Sequence, residues 1–436
     1  MTTSDSATFS DPDQQMAKAR QRRVTVIGAG FSGLATAFYL SRAGFQVEVI
    51  EERERPGGLI STTETPFGLV ESAANGFLNS ALVEELFGLM GLEVVPTLKA
   101  AKRRYIFRRG FPRRWPLGIL ATLSLVGFVL MFLFRREKVA PHPHEAVRAW
   151  TERTMGREAG QYLVEAFLQG VYAGDPARMS ATLLFGRFFE KRRQSKSKAK
   201  LQTRGTVSTM NGMGQLITRM RERLERQGVV FVMNQKFPVF AGEPRWPHVV
   251  ATSAHAAGEL LRELDQVRAQ ACAGVELVPI ISVAIGFKEA PPETRGFGCL
   301  FPPVEGRKAL GVLMNSFIFP NRSLKGFSET WIFGGARANA AELMAIPDKD
   351  VIEMAVSERQ ETLNATGAYS GYRITRWPAA LPHYTLALEE TLAEMRGLRR
   401  NVVLIGNYLG EIGLARILER AESLPSEIHT SGEWRV

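Results

Sequence analysis

The feature that most constrains this chain is an apolar run, residues 24–27, that passes straight into Gly28-Ala29-Gly30-Phe31-Ser32-Gly33. Leu34, Ala35, Ala37, Phe38 and Leu40 then keep helical spacing as far as Gly44, and Val47, Val49 and Ile50 form a second strand ending at Glu51. Strand, glycine turn, helix and strand in about thirty residues define a βαβ unit, so the strands are parallel and the fold class is α/β. The glycines serve separate purposes. Gly28 allows the tight turn, Gly30 lets backbone N–H groups reach a pyrophosphate, and Gly33 lets helix and strand pack closely. Phe31 and Ser32 belong to the same cofactor-binding turn. Glu51, about 20 residues on, would accept hydrogen bonds from a ribose diol, which favours FAD or NAD over NADP.

The segment after the second strand decides between FAD and NAD. Glu51-Glu52-Arg53-Glu54-Arg55-Pro56-Gly57-Gly58-Leu59 resembles the E-x-R-x-x-x-G-G segment of the flavin-dependent amine oxidase superfamily. The resemblance implies FAD, with the acid on the ADP ribose and Gly57, Gly58 and Leu59 passing close to the flavin; Glu52 and Arg53 complete that cofactor-binding segment. Near the end of the chain a strand at residues 402–405, the turn Gly406-Asn407-Tyr408-Leu409-Gly410-Glu411-Ile412 and a helix repeat the phosphate-turn logic. A helix N-terminus there would stabilise negative charge on a reduced flavin ring. Gly406, Asn407, Glu411 and Ile412 are therefore cofactor-binding candidates.

Further segments resemble the protoporphyrinogen oxidase family. Gly170-Val171-Tyr172-Ala173-Gly174-Asp175-Pro176 is similar to that family's G-V-Y-A-G-D-P element, residues 296–302 around Phe301 to G-F-G-x-L-x-P, and Phe319-Pro320-Asn321-Arg322 to L-F-P-x-R. Trp377 and Pro382-His383-Tyr384 resemble a segment beside the flavin, with His383 in place of Gln. The resemblance implies a substrate site including Asn75, Gly170, Tyr172, Ala173, Gly174, Phe301 and Phe333, and cofactor contacts from Phe237 and Trp377. It implies oxygen-dependent, six-electron oxidation of a porphyrinogen, with the flavin carrying the chemistry and no protein side chain assigned as catalytic. Two departures stand out. Glu411 occupies a glycine-rich turn, and Asn75 lies where relatives place an Arg that pairs a substrate propionate, so that carboxylate needs another cation or the Asn75 amide. Residues 401–414 contain no Cys or His, so FAD is expected to be held noncovalently.

The 436 residues suffice for two or three units. An FAD-binding domain is expected from residues 23–90, 205–270 and 390–425, a mixed-sheet substrate domain from 271–389, a helical membrane-binding lobe from 91–204, and a disordered tail from 1–22. The chain carries 55 Lys plus Arg against 44 Asp plus Glu, a net charge of +11, which suits an anionic partner. Residues 115–134 are apolar without interruption between Arg113, Arg114 and Arg135, Arg136. Spanning, burial and monotopic embedding compete for that run, and embedding is preferred because a span would separate halves that build one domain. A basic run over residues 191–200 suits anionic lipid or solvent, and its lack of aromatic rings argues against nucleic acid. The expected setting is the cytoplasmic membrane face, as a monotopic or peripheral protein, with oligomerisation open. The two cysteines, Cys272 and Cys299, give neither a disulfide framework nor a metal site. Oxidation of coproporphyrinogen III and a non-catalytic flavin or porphyrin carrier are the competing functions.

Overall fold

The computed structural model describes residues 23–190 and 201–430; the tail expected over 1–22 and the basic run 191–200 lie outside the described residues. Two sheets organise the chain. Their strands are β1 (Arg23–Ile27), β2 (Gln46–Ile50), β3 (Tyr105–Arg108), β4 (Phe111–Arg113), β5 (Val230–Val232), β6 (His248–Val250), β7 (Leu277–Phe287), β8 (Gly298–Leu300), β9 (Ala309–Leu313), β10 (Phe327–Gly334), β11 (Tyr369–Pro382) and β12 (Val402–Leu404). Five helices matter below: α1 (Phe31–Arg42), α2 (Ile119–Phe134), α3 (Met213–Arg226), α4 (Asp348–Leu363) and α5 (Leu414–Thr430).

The first sheet has the order β5-β2-β1-β6-β12, and every pairing in it is parallel. Because β1 is flanked by β2 on one side and β6 on the other, the sheet reverses its winding at β1, where a doubly wound fold places its ligand crevice. Val24, Val26, Val47 and Val49 are buried against α1, α3 and α5 through Leu34, Phe38, Met220, Leu224 and Leu418. Gly33 is fixed by this packing: a Cβ there would lie 1.9 Å from the Gly28 carbonyl oxygen.

The second sheet, β11-β7-β10-β9-β8-β3-β4, is antiparallel except where β8 meets β3. Its strands β3 and β4 come from residues 105–113, which the sequence pattern assigns to the helical lobe. They join the sheet because Tyr105 and Phe107 enter the same core as Phe301 and Trp331. One face of this sheet is covered by α4 through Val351, Ile352 and Ala355. The other faces the first domain: Trp377 on β11 pairs in register with Ile280 on β7, and its indole N–H donates to the Ser72 carbonyl at 3.0 Å.

The apolar run forms a helix of 16 residues, preceded by Pro116, Leu117 and Gly118. No helix among the described residues is long and apolar enough to cross a membrane. Nor is α2 buried. Ala121, Leu125 and Phe128 dock on the protein, while Ile119, Leu120, Leu123, Val126, Leu130, Leu133 and Phe134 form one exposed stripe, 82% open at Leu120.

Candidate functional site

The turn after β1 is built as its sequence requires. The Gly28 N–H donates to the Ile50 carbonyl at 2.8 Å, with φ +100° at Gly28. Gly30 caps α1 from an extended conformation without a side-chain bond, leaving the first-turn N–H groups to face outward. A second glycine pair meets it: Gly30 bridges Gly57, the Gly57 N–H donates to the Ala29 carbonyl at 2.8 Å, and a Cβ on Gly58 would come within 3.1 Å of the Gly30 Cα. Residues 28–33 and 57–58, separate motifs in the sequence, therefore form one surface.

Glu51 is buried and accepts N–H bonds from Ala29 at 2.6 Å and Arg53 at 3.0 Å, one on each oxygen. A carboxylate has about four acceptor sites, so capacity for a diol remains. Glu52 and the Arg53 side chain are exposed, and Arg53 contributes its carbonyl to the Asn234 N–H. Phe31 packs inward against Phe77 with centroids 5.4 Å apart, leaving only its backbone for a ligand, and Ser32 is half-buried beside it. The half-buried Leu59 accepts the Ser72 hydroxyl on its carbonyl. Phe237 packs in a cluster with Phe240 and His248 next to β6, close to the chain that leaves β5.

Gly30 also tests whether a cofactor fits. Nothing lies closer than 3.9 Å to a Cβ placed there, and its φ is −67°, so the protein itself tolerates a side chain. The room left above Gly30, at a helix N-terminus beside a buried carboxylate, suits the pyrophosphate and ribose of a dinucleotide.

At the far end of the first sheet, β12 leads through the extended Gly406 to Asn407, whose carbonyl accepts the buried Tyr384 hydroxyl. Ile412 is partly buried. Glu411, in the turn between β12 and α5, carries a buried Oε2 with no hydrogen-bond partner among the described residues. Burial pushes its carboxyl up to about 7, against the pull of Arg420, Arg396 and Arg187.

The Gly170–Pro176 segment approaches the same place. Gly170 packs so tightly on Leu300 that a Cβ would sit 2.2 Å from it. The Tyr172 ring meets Tyr384 at 5.9 Å, and burial raises its hydroxyl pKa. Ala173, at φ +51°, and Gly174 are buried, and the Ala173 carbonyl accepts the Ala336 N–H. His383 holds the segment from below. Its Nε2 accepts the Asp175 N–H at 3.0 Å while Nδ1 faces Glu276 at 3.1 Å, an arrangement requiring the neutral ring, and burial lowers its pKa accordingly. Asn75 is half-buried in the loop that Trp377 contacts through Ser72.

The Phe301 side chain lies away from the Gly170–Pro176 segment, whereas Phe333, though buried, lines a cavity together with Ala173 and Gly174. Phe301 and Phe333 are 0% and 1% exposed in the core beneath α4, where Phe301 stacks on Trp331. Strand alternation sets their sides: Phe333 opposes Ile281 and faces α4 and the rim of the sheet, while its neighbour Ile332 opposes Ser282 and turns to the side of Ile280 and Trp377. Ile280, Ile332 and Leu381, around Ala173 and Leu310, are the apolar wall that sequence reasoning misses. Only the β7–β10–β11 register reveals them.

Two sheets meeting over paired glycine turns define an FAD-binding fold, and comparison with known proteins agrees. The family described as flavin containing amine oxidoreductase matches residues 31–237. The chain is 26% identical to the chloroplastic protoporphyrinogen oxidase of Nicotiana tabacum, covering 92% of this chain and 84% of that protein. It is also 26% identical to protoporphyrinogen oxidase of Homo sapiens over 72% of this chain and 78% of the relative. In fold it matches cyclohexylamine oxidase from Brevibacterium oxydans with a TM-score of 0.70 at 17% identity, covering 94% and 99% of the two chains. The chain is similar to flavin containing amine oxidoreductases over residues 31–237, and FAD is its cofactor. It is thus an FAD-dependent oxidoreductase.

Proposed function

We propose that this protein oxidises protoporphyrinogen IX to protoporphyrin IX, consuming three O₂ and releasing three H₂O₂ in a six-electron reaction. One observation carries the reading: the Gly170–Pro176 segment, buried at Ala173 and Gly174, brings its own Tyr172 against Tyr384, whose hydroxyl reaches the Asn407 carbonyl beyond the last strand of the cofactor sheet. The names of the curated relatives support it, since they cover most of this chain.

FAD, when bound, supplies the two-electron oxidant and returns its electrons to oxygen. The protein's part is placement. Gly30 and the first N–H groups of α1 would hold the pyrophosphate, Glu51 the ribose, and the start of α5 the pyrimidine end of the ring. Ile280, Ile332 and Leu381 present an apolar wall to a macrocycle and exclude water from the reacting face. Trp377, tied to Ser72, fixes the distance between that wall and the glycine turns. His383 orients the Ala173–Asp175 backbone through the acceptor Nε2 of its neutral ring.

A membrane-facing role for α2 belongs to the same proposal. Its stripe of exposed apolar side chains, with Trp115 before it and Arg113, Arg114 and Arg135 at its ends, suits insertion into one leaflet.

The test is a fluorescence assay on purified holoenzyme in air with protoporphyrinogen IX and coproporphyrinogen III supplied separately. Faster porphyrin appearance than autoxidation with the first substrate supports the reading. Preference for the second moves it to the coproporphyrin reaction, and oxidation of neither leaves a carrier and sinks the proposal.

A further inference from the structure

A cavity of about 330 Å³ opens at the rim of the large sheet, where β9 begins and β10 ends. At that size it lies at the bottom of the range for small-molecule sites, so it takes an edge of a large ligand rather than the whole. Ala173, Gly174, Leu310 and Ala336 form part of its wall, and no Asp or Glu lines it. Phe333, buried in the core, reaches the same cavity from within. Ala173, Leu310 and Ala336 also belong to the apolar cluster with Ile280 and Ile332, so the cavity adjoins the apolar wall. A flat apolar molecule lying on that cluster would project its rim substituents into the cavity.

Three cations guard the cavity. Arg307 is ion-paired to Glu361 at 2.7 Å, yet its Nε is buried without a hydrogen-bond partner among the described residues. Arg337 pairs with Asp175 at 2.9 Å and keeps half its side chain exposed. Lys308 gives its backbone N–H to Glu358, and its exposed ammonium makes no ion pair within 4.0 Å among the described residues. The cavity therefore offers an ammonium outside any direct ion pair among the described residues, in the field of Glu358 and Glu361, and a buried N–H donor to an anion, in walls otherwise largely apolar. Carboxylate side chains on an apolar ring match that combination, and position 75 brings only an amide.

We infer that Arg307, Lys308 and Arg337 form the carboxylate subsite of this enzyme, receiving the acid side chains of its tetrapyrrole. The inference rests on the porphyrinogen reading and goes beyond it by naming where the acids bind. It requires an acid-selective contribution from this rim, whereas a purely structural role for the cations would affect acid and ester alike.

The experiment is an equilibrium titration of holoenzyme with protoporphyrin IX and with its dimethyl ester, followed by porphyrin fluorescence. Wild type is compared with Lys308→Gln, Lys308→Arg and the double variant Lys308→Gln/Arg337→Gln, each checked for its flavin spectrum and thermal midpoint. Removing the exposed Lys308 charge weakens the free acid roughly three- to fivefold, and the double variant loses on the order of tenfold. Lys308→Arg retains wild-type affinity, the ester is unaffected throughout, and the salt dependence of acid binding flattens in Lys308→Gln. Equal losses for acid and ester, or no loss for the acid, overturn the subsite while leaving the porphyrin reading intact. If wild type binds neither form, the porphyrin reading itself falls, and the subsite with it.

Discussion

Glu411 yields a signed, pH-dependent expectation. Its carboxyl titrates near pH 7 instead of the ordinary 4.5 because the side chain is mostly buried and its Oε2 has no donor. The folded protein therefore holds an extra proton between those values, and stability falls as pH rises through that window. The gap between 4.5 and about 7 corresponds to at most about 3 kcal/mol. Because the side chain retains some water contact, roughly 2 kcal/mol is expected. Glu411→Gln keeps the shape and removes the charge. Relative to wild type, it should gain less than about 1 kcal/mol near pH 5 and roughly 2 kcal/mol at pH 8. Urea unfolding of both proteins at pH 5, 6, 7 and 8, with FAD at one saturating concentration, reads the difference through the midpoints. A gap that does not change with pH refutes the reasoning. So does a less stable Gln variant at pH 8, because it would mean that Arg420 or Arg396 partners the ionised carboxylate.

Single contacts give further expectations. Gly30→Ala should fold with an unchanged thermal midpoint but lose FAD affinity on the order of tenfold or more, as a methyl group enters the pyrophosphate cradle; FAD titration of the stripped protein checks this, and normal affinity would move the cradle elsewhere. Gly33→Ala, whose Cβ meets the Gly28 oxygen at 1.9 Å, should instead fail to accumulate as folded protein. Glu329→Gln leaves the Arg359 guanidinium, paired at 3.1 Å and almost wholly buried, without its counter-charge. A loss of about 3–5 kcal/mol is expected in urea unfolding. Leu123→Asp, on the exposed stripe of α2, should abolish flotation with vesicles containing anionic lipid while keeping the flavin spectrum, and unchanged flotation would remove α2 as the anchor.

What the sequence discloses depends on how far apart the cooperating residues lie. The turn from Gly28 to Glu51 is legible because strand, helix and acid fall within one short stretch, and the Glu51 contact to the Ala29 N–H spans only 22 residues. The glycine pair at 57 and 58 is legible as a motif, whereas its contact with Gly30 is not. Phe301 misleads for a different reason: it occupies an apolar strand-like segment, and its side is set by which face α4 covers, a choice made more than 40 residues further along the chain. Residues 105–113 fall into the wrong unit because two short strands on a sheet edge carry little periodicity of their own. Arg307, Lys308 and Arg337 come from two turns with no shared pattern, and only the end-to-end placement of β9 and β10 brings them to one cavity.

The strand order of the first sheet also bears on how the protein is made. Its five strands lie at residues 23–27, 46–50, 230–232, 248–250 and 402–404. A ribosome adding about 5–20 residues per second needs roughly 20–70 s between completing β2 and completing β12. For more than half of that interval β6 does not yet exist; once made, its edge stays open until β12 arrives, and the turn ending at Glu411 comes later still. The nascent chain can thus assemble the pyrophosphate turn early but cannot enclose the whole cofactor until nearly all of it has been synthesised, which makes cofactor capture a late event in biogenesis and exposes incomplete chains to proteolysis.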